Sequence, residues 1–277
     1  MLKPGDSQRV AELMRETAAA ELLPRFRNLA KEDVRQKRPG DFVTVADLAS
    51  EQRLASGLAK ILPGVPVVGE EAVEGDAGLV GLIGRTRETC WIVDPLDGTS
   101  NFAAGRDRFA IIVALVHDRE TIGGWILDVP NDRLAIATKG QGTTLDGVPI
   151  QGKAPDRPLK GLMGYRVRKE IERQLAPGPR QRLGELTTLN CAGREYIEIL
   201  GGTFDFNIYR MTKPWDHAAG ALMLWEAGGR AIRISGEPYG PAGRMDGGII
   251  AAAFSDVVTD AKAVYDTIEL PSLAARP

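Results

Sequence analysis

The stretch Trp91–Phe102 constrains this chain most, because it joins an apolar run to two carboxylates and a Gly-Thr pair. Asp94 and Asp97 stand three residues apart, directly after Trp-Ile-Val. Pro95 fixes its own φ and biases Asp94 toward an extended conformation, so we expect a strand that ends with this carboxylate at its tip. The backbone N–H groups of the Gly-Thr pair follow at once and can hold an anion. The stretch therefore predicts a metal-assisted phosphate site.

Length and charge exclude several other classes of protein. A chain of 277 residues can bury a sizeable core, as one large domain or as two subdomains in close contact. Its 35 basic and 37 acidic residues are mixed along the chain and leave a net charge of −2, which gives no electrostatic case for binding a nucleic acid polymer or a membrane. No apolar run reaches the roughly 18–20 residues that span a bilayer, and the N-terminus lacks the apolar region of a signal peptide.

The cysteine content favours a reducing compartment. Cys90 and Cys191 are too few for a disulfide framework, and each lies beside apolar residues. We therefore expect two buried, inert thiols and a cytoplasmic location.

The N-terminal half predicts helices that alternate with strands. Residues 7–30 have apolar side chains at helical spacing, with Pro24 as a possible kink. A short β-branched run at 42–45 precedes a second helix, which we expect to start near Asp47 and to end at Pro63-Gly64. The runs at 109–117, 121–128 and 133–138 are separated by short turns and predict an antiparallel meander.

The C-terminal half is expected to begin after a connection at 155–179, which holds four prolines and much charge. Beyond it the pattern predicts helices at 193–200, 215–227 and 255–267, and strands at 204–209, 230–234 and 248–254.

Acidic residues gather at the predicted ends of these elements. Glu70 and Glu71 follow a strand at 65–68, and Asp216 opens a helix, where the helix dipole favours a carboxylate. If these groups met Asp94 and Asp97 in one pocket, they would repel each other and be costly to desolvate. Mg²⁺ resolves such a conflict, because it binds oxygen ligands and typically lies between a few carboxylates and a phosphate.

Five motifs together resemble the inositol monophosphatase family of metal-dependent, lithium-sensitive sugar phosphatases. The resemblance covers roughly residues 8 to 268. The third and fifth motifs are the two signatures of the family, and they occur in the expected order: 41–47 (DFVTVAD), 69–71 (GEE), 91–99 (WIVDPLDGT), 139–142 (KGQG) and 215–220 (WDHAAG).

The resemblance implies a role for each acidic position. Two or three Mg²⁺ ions per site are expected, with Asp94 as the bridge and with a weaker third ion that depends on Glu70. The implied metal ligands are Glu70, Asp94, the Leu96 carbonyl, Asp97 and Asp216. Gly98 and Thr99 are implied to bind the phosphate through backbone N–H groups.

Catalysis by a metal-activated water is implied as well. Thr99 and Asp47 resemble the pair that orients this water, and Glu71 lies close by. In this family a mobile loop also supplies a basic residue that assists the metals, and Arg35, Lys37 and Arg38 are the candidates here.

Substrate choice is where the chain departs from the family pattern. Ala192 aligns with a backbone position that faces the substrate. Tyr209 stands where inositol-specific members have a glutamate that contacts substrate hydroxyls, which puts inositol 1-phosphate in doubt as the physiological substrate. Arg194 and Arg210 either face a second phosphate or carboxylate of the substrate, or are solvated surface arginines.

The expected fold is α/β, layered as an alternating αβαβα sandwich. Residues 1–145 would form a subdomain with most metal ligands, and residues 146–277 one that contributes Asp216 and the substrate surface. The expected function is Mg²⁺-dependent hydrolysis of a small phosphorylated polyol or sugar, in a homodimer. Histidinol-phosphate, fructose 1,6-bisphosphate and 3′,5′-adenosine bisphosphate phosphatase are the alternatives within the same chemistry. A catalytically silent, phospholigand-binding member is the alternative from another class.

Overall fold

The computed structural model describes residues 2–270, in which helices alternate with strands. The α-helices in this part of the chain are α1 (Asp6–Thr17), α2 (Val45–Ile61), α3 (Glu70–Gly75), α4 (Thr99–Ala103), α5 (Tyr165–Gln174), α6 (Pro177–Gln181), α7 (Ala192–Leu200), α8 (Pro214–Glu226) and α9 (Ser255–Tyr265). The strands there are β1 (Val34–Arg38), β2 (Asp41–Thr44), β3 (Val67–Gly69), β4 (Thr89–Asp97), β5 (Ala110–His117), β6 (Glu120–Asp128), β7 (Arg133–Thr138), β8 (Thr143–Leu145), β9 (Val148–Ile150), β10 (Leu159–Met163), β11 (Leu183–Thr187), β12 (Phe206–Tyr209), β13 (Arg230–Arg233) and β14 (Ile249–Ala252).

The larger sheet has seven strands in the order β3-β4-β5-β6-β7-β8-β9. β3 is parallel to β4, and each later pair is antiparallel. The predicted meander is therefore confirmed. β4 ends with the acidic stretch, and its register with β5 shifts between Asp94 and Asp97. This irregularity breaks the ladder and turns the backbone at the sheet edge, where both carboxylates lie.

The smaller sheet has five strands in the order β11-β10-β12-β14-β13. The predicted connection at 155–179 was wrong, because this segment contains β10 and α5. β10 is short and lies between β11 and β12, so it lacks the polar alternation that signals a strand. Only Val167 and Ile171 are buried on α5, and the surrounding charges conceal this narrow apolar stripe.

Three cores separate the layers. α1 and α2 pack on one face of the larger sheet through Trp91 and Val93 of β4, while Ile92, which points to the other face, belongs to the core that holds α7 and α8. That second core extends to the smaller sheet, whose far face packs on α5 and α9. The order helix, sheet, helix, sheet, helix confirms the expected layered fold. The division at residue 145 stays a prediction.

The single helix expected at 7–30 is shorter in the structure. α1 ends at Thr17 and continues as one π-helical turn, Ala18–Leu22, before the chain turns at 23–27. Pro24 explains this end, because it has no N–H for the helical ladder and its ring crowds the carbonyl four residues earlier. Within residues 2–270, no helix combines the length and the apolar character needed to cross a membrane.

Candidate active site

Four of the acidic residues singled out from the sequence, Glu70, Asp94, Asp97 and Asp216, meet in one cavity of about 160 Å³, whereas Glu71 does not line it. It lies where the end of β4 and the starts of α3, α4 and α8 come together. Every residue that the resemblance implied as a metal ligand or phosphate contact lines it, together with four polar side chains and one aromatic: Asp41, Phe42, Glu70, Asp94, Leu96, Asp97, Gly98, Thr99, Ser100, Asn190, Lys213 and Asp216.

Local backbone contacts position the two aspartates of β4. Asp94 Oδ1 accepts a hydrogen bond of 3.1 Å from the Leu96 N–H. Asp97 Oδ2 accepts 2.6 Å and 3.0 Å hydrogen bonds from the Gly193 N–H and the Cys191 thiol at the start of α7. Cys191 is buried as expected, but it also orients a carboxylate of the cavity. Asp97 therefore joins the larger sheet to a helix of the C-terminal half.

The two glutamates of the cavity region occupy the first turn of α3, directly after β3. Glu51 on α2 anchors this turn, because its carboxylate accepts 2.8 Å hydrogen bonds from the N–H groups of Glu71 and Ala72. A Cβ at Gly69 would lie 2.2 Å from Glu51 Oε2, so only glycine permits this close approach. The contact holds the start of α3, and with it Glu70, at a fixed place beside β4.

Each of the two glutamates has a lysine partner. Lys37 Nζ lies 2.7 Å from Glu71 Oε1, while Arg38 reaches the exposed Glu74. Among the basic side chains of β1, Lys37 is thus the one beside the site. Lys213 Nζ lies 2.8 Å from Glu70 Oε1.

Asp47 and Thr99 are joined as the resemblance implied. The Thr99 hydroxyl lies 2.9 Å from Asp47 Oδ1 and 2.9 Å from the Leu96 carbonyl oxygen. Asp47 also caps α2, since its Oδ2 accepts hydrogen bonds from the N–H and hydroxyl of Thr44. Thr44 therefore helps to orient Asp47. Burial raises the pKa of Asp47 to about 7, although the hydrogen bonds from Thr44 and Thr99 act to lower it.

The carboxylates that line the cavity outnumber the one ammonium among its lining residues, that of Lys213. Burial raises the pKa of Asp94 well above its ordinary value, and the carboxylates of Glu70, Asp97 and Asp216 raise it further. Burial likewise raises the pKa of Asp216. Within residues 2–270, no three His, Cys, Asp or Glu side chains are drawn together as a ready-made metal-binding group. The donor set nevertheless fits Mg²⁺, because these four carboxylates line one cavity and a hard cation removes their mutual repulsion.

The two residues expected to bind substrate do not line this cavity. Ala192 is buried at the start of α7. Burial raises the pKa of Asp97, and the hydrogen bond from the Ala192 N–H lowers it by a smaller amount. The Tyr209 hydroxyl donates a hydrogen bond to Glu195 on α7. Glu195 also accepts from the Leu189 N–H at 2.7 Å, and burial raises its pKa to about 7. Tyr209 thus ties β12 to α7 behind the cavity wall.

The two arginines left open by the sequence point elsewhere. Arg194 pairs with the buried Asp128 at 2.6 Å and with Glu198 at 2.8 Å. It is therefore neither a solvated surface side chain nor a group that faces the cavity. Arg210 interacts with Tyr265 on α9.

Lys213, Asn190 and Glu51 are the site residues that the sequence did not reveal. Lys213 lies two residues before the motif at 215–220, and this nearness was its only signal in the sequence. Asn190 lies in a loop, and Glu51 lies on a helix among other charged residues, so neither differs in pattern from a surface position.

Comparisons with known proteins agree with this geometry. The model of the inositol monophosphatase family matches residues 7–268. The fructose-1,6-bisphosphatase/inositol-1-monophosphatase of Aquifex aeolicus is 31% identical over 249 residues, which cover 88% of this chain and 86% of that protein. The Nus factor SuhB of Pseudomonas aeruginosa is 29% identical over 79% of this chain and 82% of its own length.

A solved structure shares the fold. The IMPase of Thermotoga maritima superposes with a TM-score of 0.75 at 23% identity, over 94% of this chain and 97% of that one. The match of the family model over nearly the whole described chain shows that this protein belongs to the inositol monophosphatase family.

Proposed function

We propose that this protein is a Mg²⁺-dependent phosphomonoesterase that hydrolyses a small phosphorylated polyol or sugar to the alcohol and inorganic phosphate. Its relatives at about 30% identity support a phosphatase of this family. The observation that carries the finer proposal is the Asp47–Thr99 hydrogen bond at the edge of a cavity with five carboxylates. The hydrogen bond orients the Thr99 hydroxyl beside the proposed phosphate site. An acidic surface without a catalytic role would not require a hydroxyl oriented in this way.

The chain supplies ligands for two or three Mg²⁺ ions. Glu70, Asp94, the Leu96 carbonyl, Asp97 and Asp216 would hold them. Bound there, Mg²⁺ neutralises the phosphate ester, lowers the pKa of a bound water and stabilises the leaving oxygen.

Thr99 and Asp47 would orient the attacking water. The Thr99 hydroxyl has one proton, which it donates to Asp47 Oδ1 or to the Leu96 carbonyl. Its lone pairs are then free to accept a proton of the water. Glu71 lies near enough to Asp47 to raise its pKa, although less than burial does, and Lys37 holds the Glu71 carboxylate in place.

The N–H groups of Gly98 and Thr99 would bind the phosphate. Gly98 adopts φ 87°, and a Cβ there would lie 2.6 Å from the Arg108 carbonyl oxygen. Glycine is therefore needed for the turn that leads from β4 into α4 beside the carboxylates. Ala192 and Tyr209 are proposed to shape the alcohol side of the site indirectly, through Asp97 and Glu195.

Inositol monophosphate is the leading substrate, because SaIMPase-II, which shares the fold at 22% identity, has been solved with inositol monophosphate bound. The test is phosphate release with Mg²⁺ from inositol 1-phosphate, histidinol phosphate, fructose 1,6-bisphosphate and 3′,5′-adenosine bisphosphate. Turnover of at least one substrate is expected, with millimolar lithium as an inhibitor. Asp266→Asn, which changes an exposed carboxylate at the end of α9, is the control that should retain activity.

The alternative from another class is a silent member that binds a phospholigand or acts through a partner, as the name of the Nus factor relative illustrates. A folded protein that binds inositol 1-phosphate but releases no phosphate from any of the four substrates would favour this alternative. The cytoplasmic location and the homodimer remain proposals, and size-exclusion chromatography with light scattering tests the homodimer.

A further inference from the structure

Among the described residues that line the cavity, Lys213 alone has a basic side chain. It is the residue directly before α8, and its side chain reaches across to α3, where Nζ lies 2.8 Å from Glu70 Oε1. The side chain lines the cavity and is 33% exposed. The interaction joins the N-terminal and C-terminal halves of the site.

The ammonium lies among carboxylates that line the same cavity, including Glu70, Asp94 and Asp216. A lysine side chain is positively charged at neutral pH. Lys213 therefore adds a positive charge among the groups that are proposed to hold Mg²⁺.

Glu70 has two carboxylate oxygens, and the ammonium contacts one of them. A Mg²⁺ ion bonds its oxygen ligands at about 2.0–2.1 Å and demands near-ideal octahedral geometry. A divalent ion on Oε1 would thus lie within a few ångströms of the ammonium, where like charges repel strongly. Glu71 offers no substitute, because it does not line the cavity and its Oε1 is paired with Lys37 at 2.7 Å. The α3 turn therefore has room for one divalent ion, on the remaining oxygen of Glu70.

We propose that Lys213 is a resident cation of the site, which takes the place of one divalent ion beside Glu70, so that the protein binds two divalent ions and not three. The inference rests on the proposed metal site and selects between the two ion counts left open there. Lys213 acts through Glu70 and is a positioning residue. It provides a positive charge that does not depend on the metal concentration.

The test is the number of Mn²⁺ ions bound per chain, counted by electron paramagnetic resonance of free Mn²⁺ and by isothermal titration calorimetry until saturation. Carboxylate sites that suit Mg²⁺ also suit Mn²⁺. The wild-type protein is expected to bind two ions, and so is Lys213→Arg, which keeps the charge. Lys213→Gln and Lys213→Met free Oε1 and are expected to bind a third, weaker ion.

Lys262→Gln is the matched control, because it removes a lysine from another carboxylate pair, with Asp266 on α9, and should bind two ions. Three ions on the wild-type protein would overturn the proposal, even if both neutral variants failed to fold. A count of two on a folded neutral variant would overturn it as well, and so would a wild-type protein that binds none. Counting bound ions does not require turnover. If the wild-type protein bound two ions and the neutral variants bound three, but no substrate of the panel released phosphate, only the proposed hydrolysis would be refuted.

Discussion

Two threonine hydroxyls bind the same carboxylate, and we predict that their removal affects different properties. Thr44 Oγ1 donates to Asp47 Oδ2 at 2.6 Å and accepts from the Ala46 N–H at the start of α2. Thr99 Oγ1 donates to Asp47 Oδ1 at 2.9 Å and lines the cavity. The first hydroxyl belongs to a helix cap, whereas the second faces the proposed reaction.

Thr44→Val is expected to lower stability and to leave most of the activity. The change keeps the side-chain shape but removes a helix cap, which is worth about 1 kcal/mol, and leaves a buried N–H with poorer hydrogen bonding. A total loss of about 2 kcal/mol follows, which lowers Tm by about 4–8 °C in a chain of this size. The Thr44 N–H still holds Asp47 Oδ2 at 2.8 Å, so kcat should fall less than about 10-fold.

Thr99→Ala is expected to lower activity strongly and stability only slightly. One partly buried hydrogen bond contributes about 1 kcal/mol to stability. Loss of the group that orients the water should lower kcat by about 10²–10⁴-fold, the range found for positioned proton-transfer groups. That fall corresponds to about 3–5 kcal/mol of activation free energy at about 1.36 kcal/mol per tenfold change.

The assays are steady-state phosphate release with Mg²⁺ and thermal unfolding followed by circular dichroism. Thr267→Ala, in which an exposed hydroxyl that bonds the Val264 carbonyl is removed, is the control for losing a threonine hydroxyl. If both variants lost the same factor in kcat, or if Thr99→Ala kept wild-type kcat, the assignment of Thr99 to the water would be wrong.

Three further predictions concern charge, pH and packing. Asp94→Asn should reduce phosphate release below detection, because Asp94 is the proposed bridge between ions; retained turnover would contradict the ligand assignment. Glu195 has its pKa raised from 4.5 to about 7 by burial, so the folded state keeps a proton that the unfolded state loses, and stability falls as pH rises through this window. Glu195→Gln should abolish this fall, on the order of 3 kcal/mol in urea titrations at pH 5 and 8, and equal pH slopes would refute it. Gly220→Ala should lower stability by about 1–3 kcal/mol in thermal unfolding, since its Cβ would lie 2.3 Å from the Tyr196 ring, and unchanged stability would show that the two helices can separate.

Periodicity in the sequence identified the elements that bury a wide apolar face. The strands of the meander, Phe109 to Thr138, were predicted within about one residue, because their apolar runs are long and their turns are short. The same reasoning failed at β10 and α5, where an interior strand is brief and a surface helix buries two side chains. It also could not order the strands of the smaller sheet, since neighbours such as β12 and β14 are far apart in the chain.

The sequence by itself identified most of the groups that are proposed to take part in the chemistry. Asp94, Pro95, Asp97 and the Gly-Thr pair follow one another in the chain, so local backbone geometry already places the carboxylates at a strand end. Asp216 and Glu70 could be added only through the resemblance to a family, because no local pattern links residues that are 146 positions apart.

The tertiary structure alone decided which charges face one another. A salt bridge forms wherever folding brings two side chains within a few ångströms, and sequence spacing does not report that distance. Lys213 lies near a motif in the sequence, yet only the fold shows that its ammonium lies 2.8 Å from Glu70. Tyr209 occupies a position implied for substrate, yet its hydroxyl is bound to Glu195 behind the cavity. The reaction type follows from the local motif, whereas the charge balance and the substrate side of the site depend on how the two sheets and their helices pack.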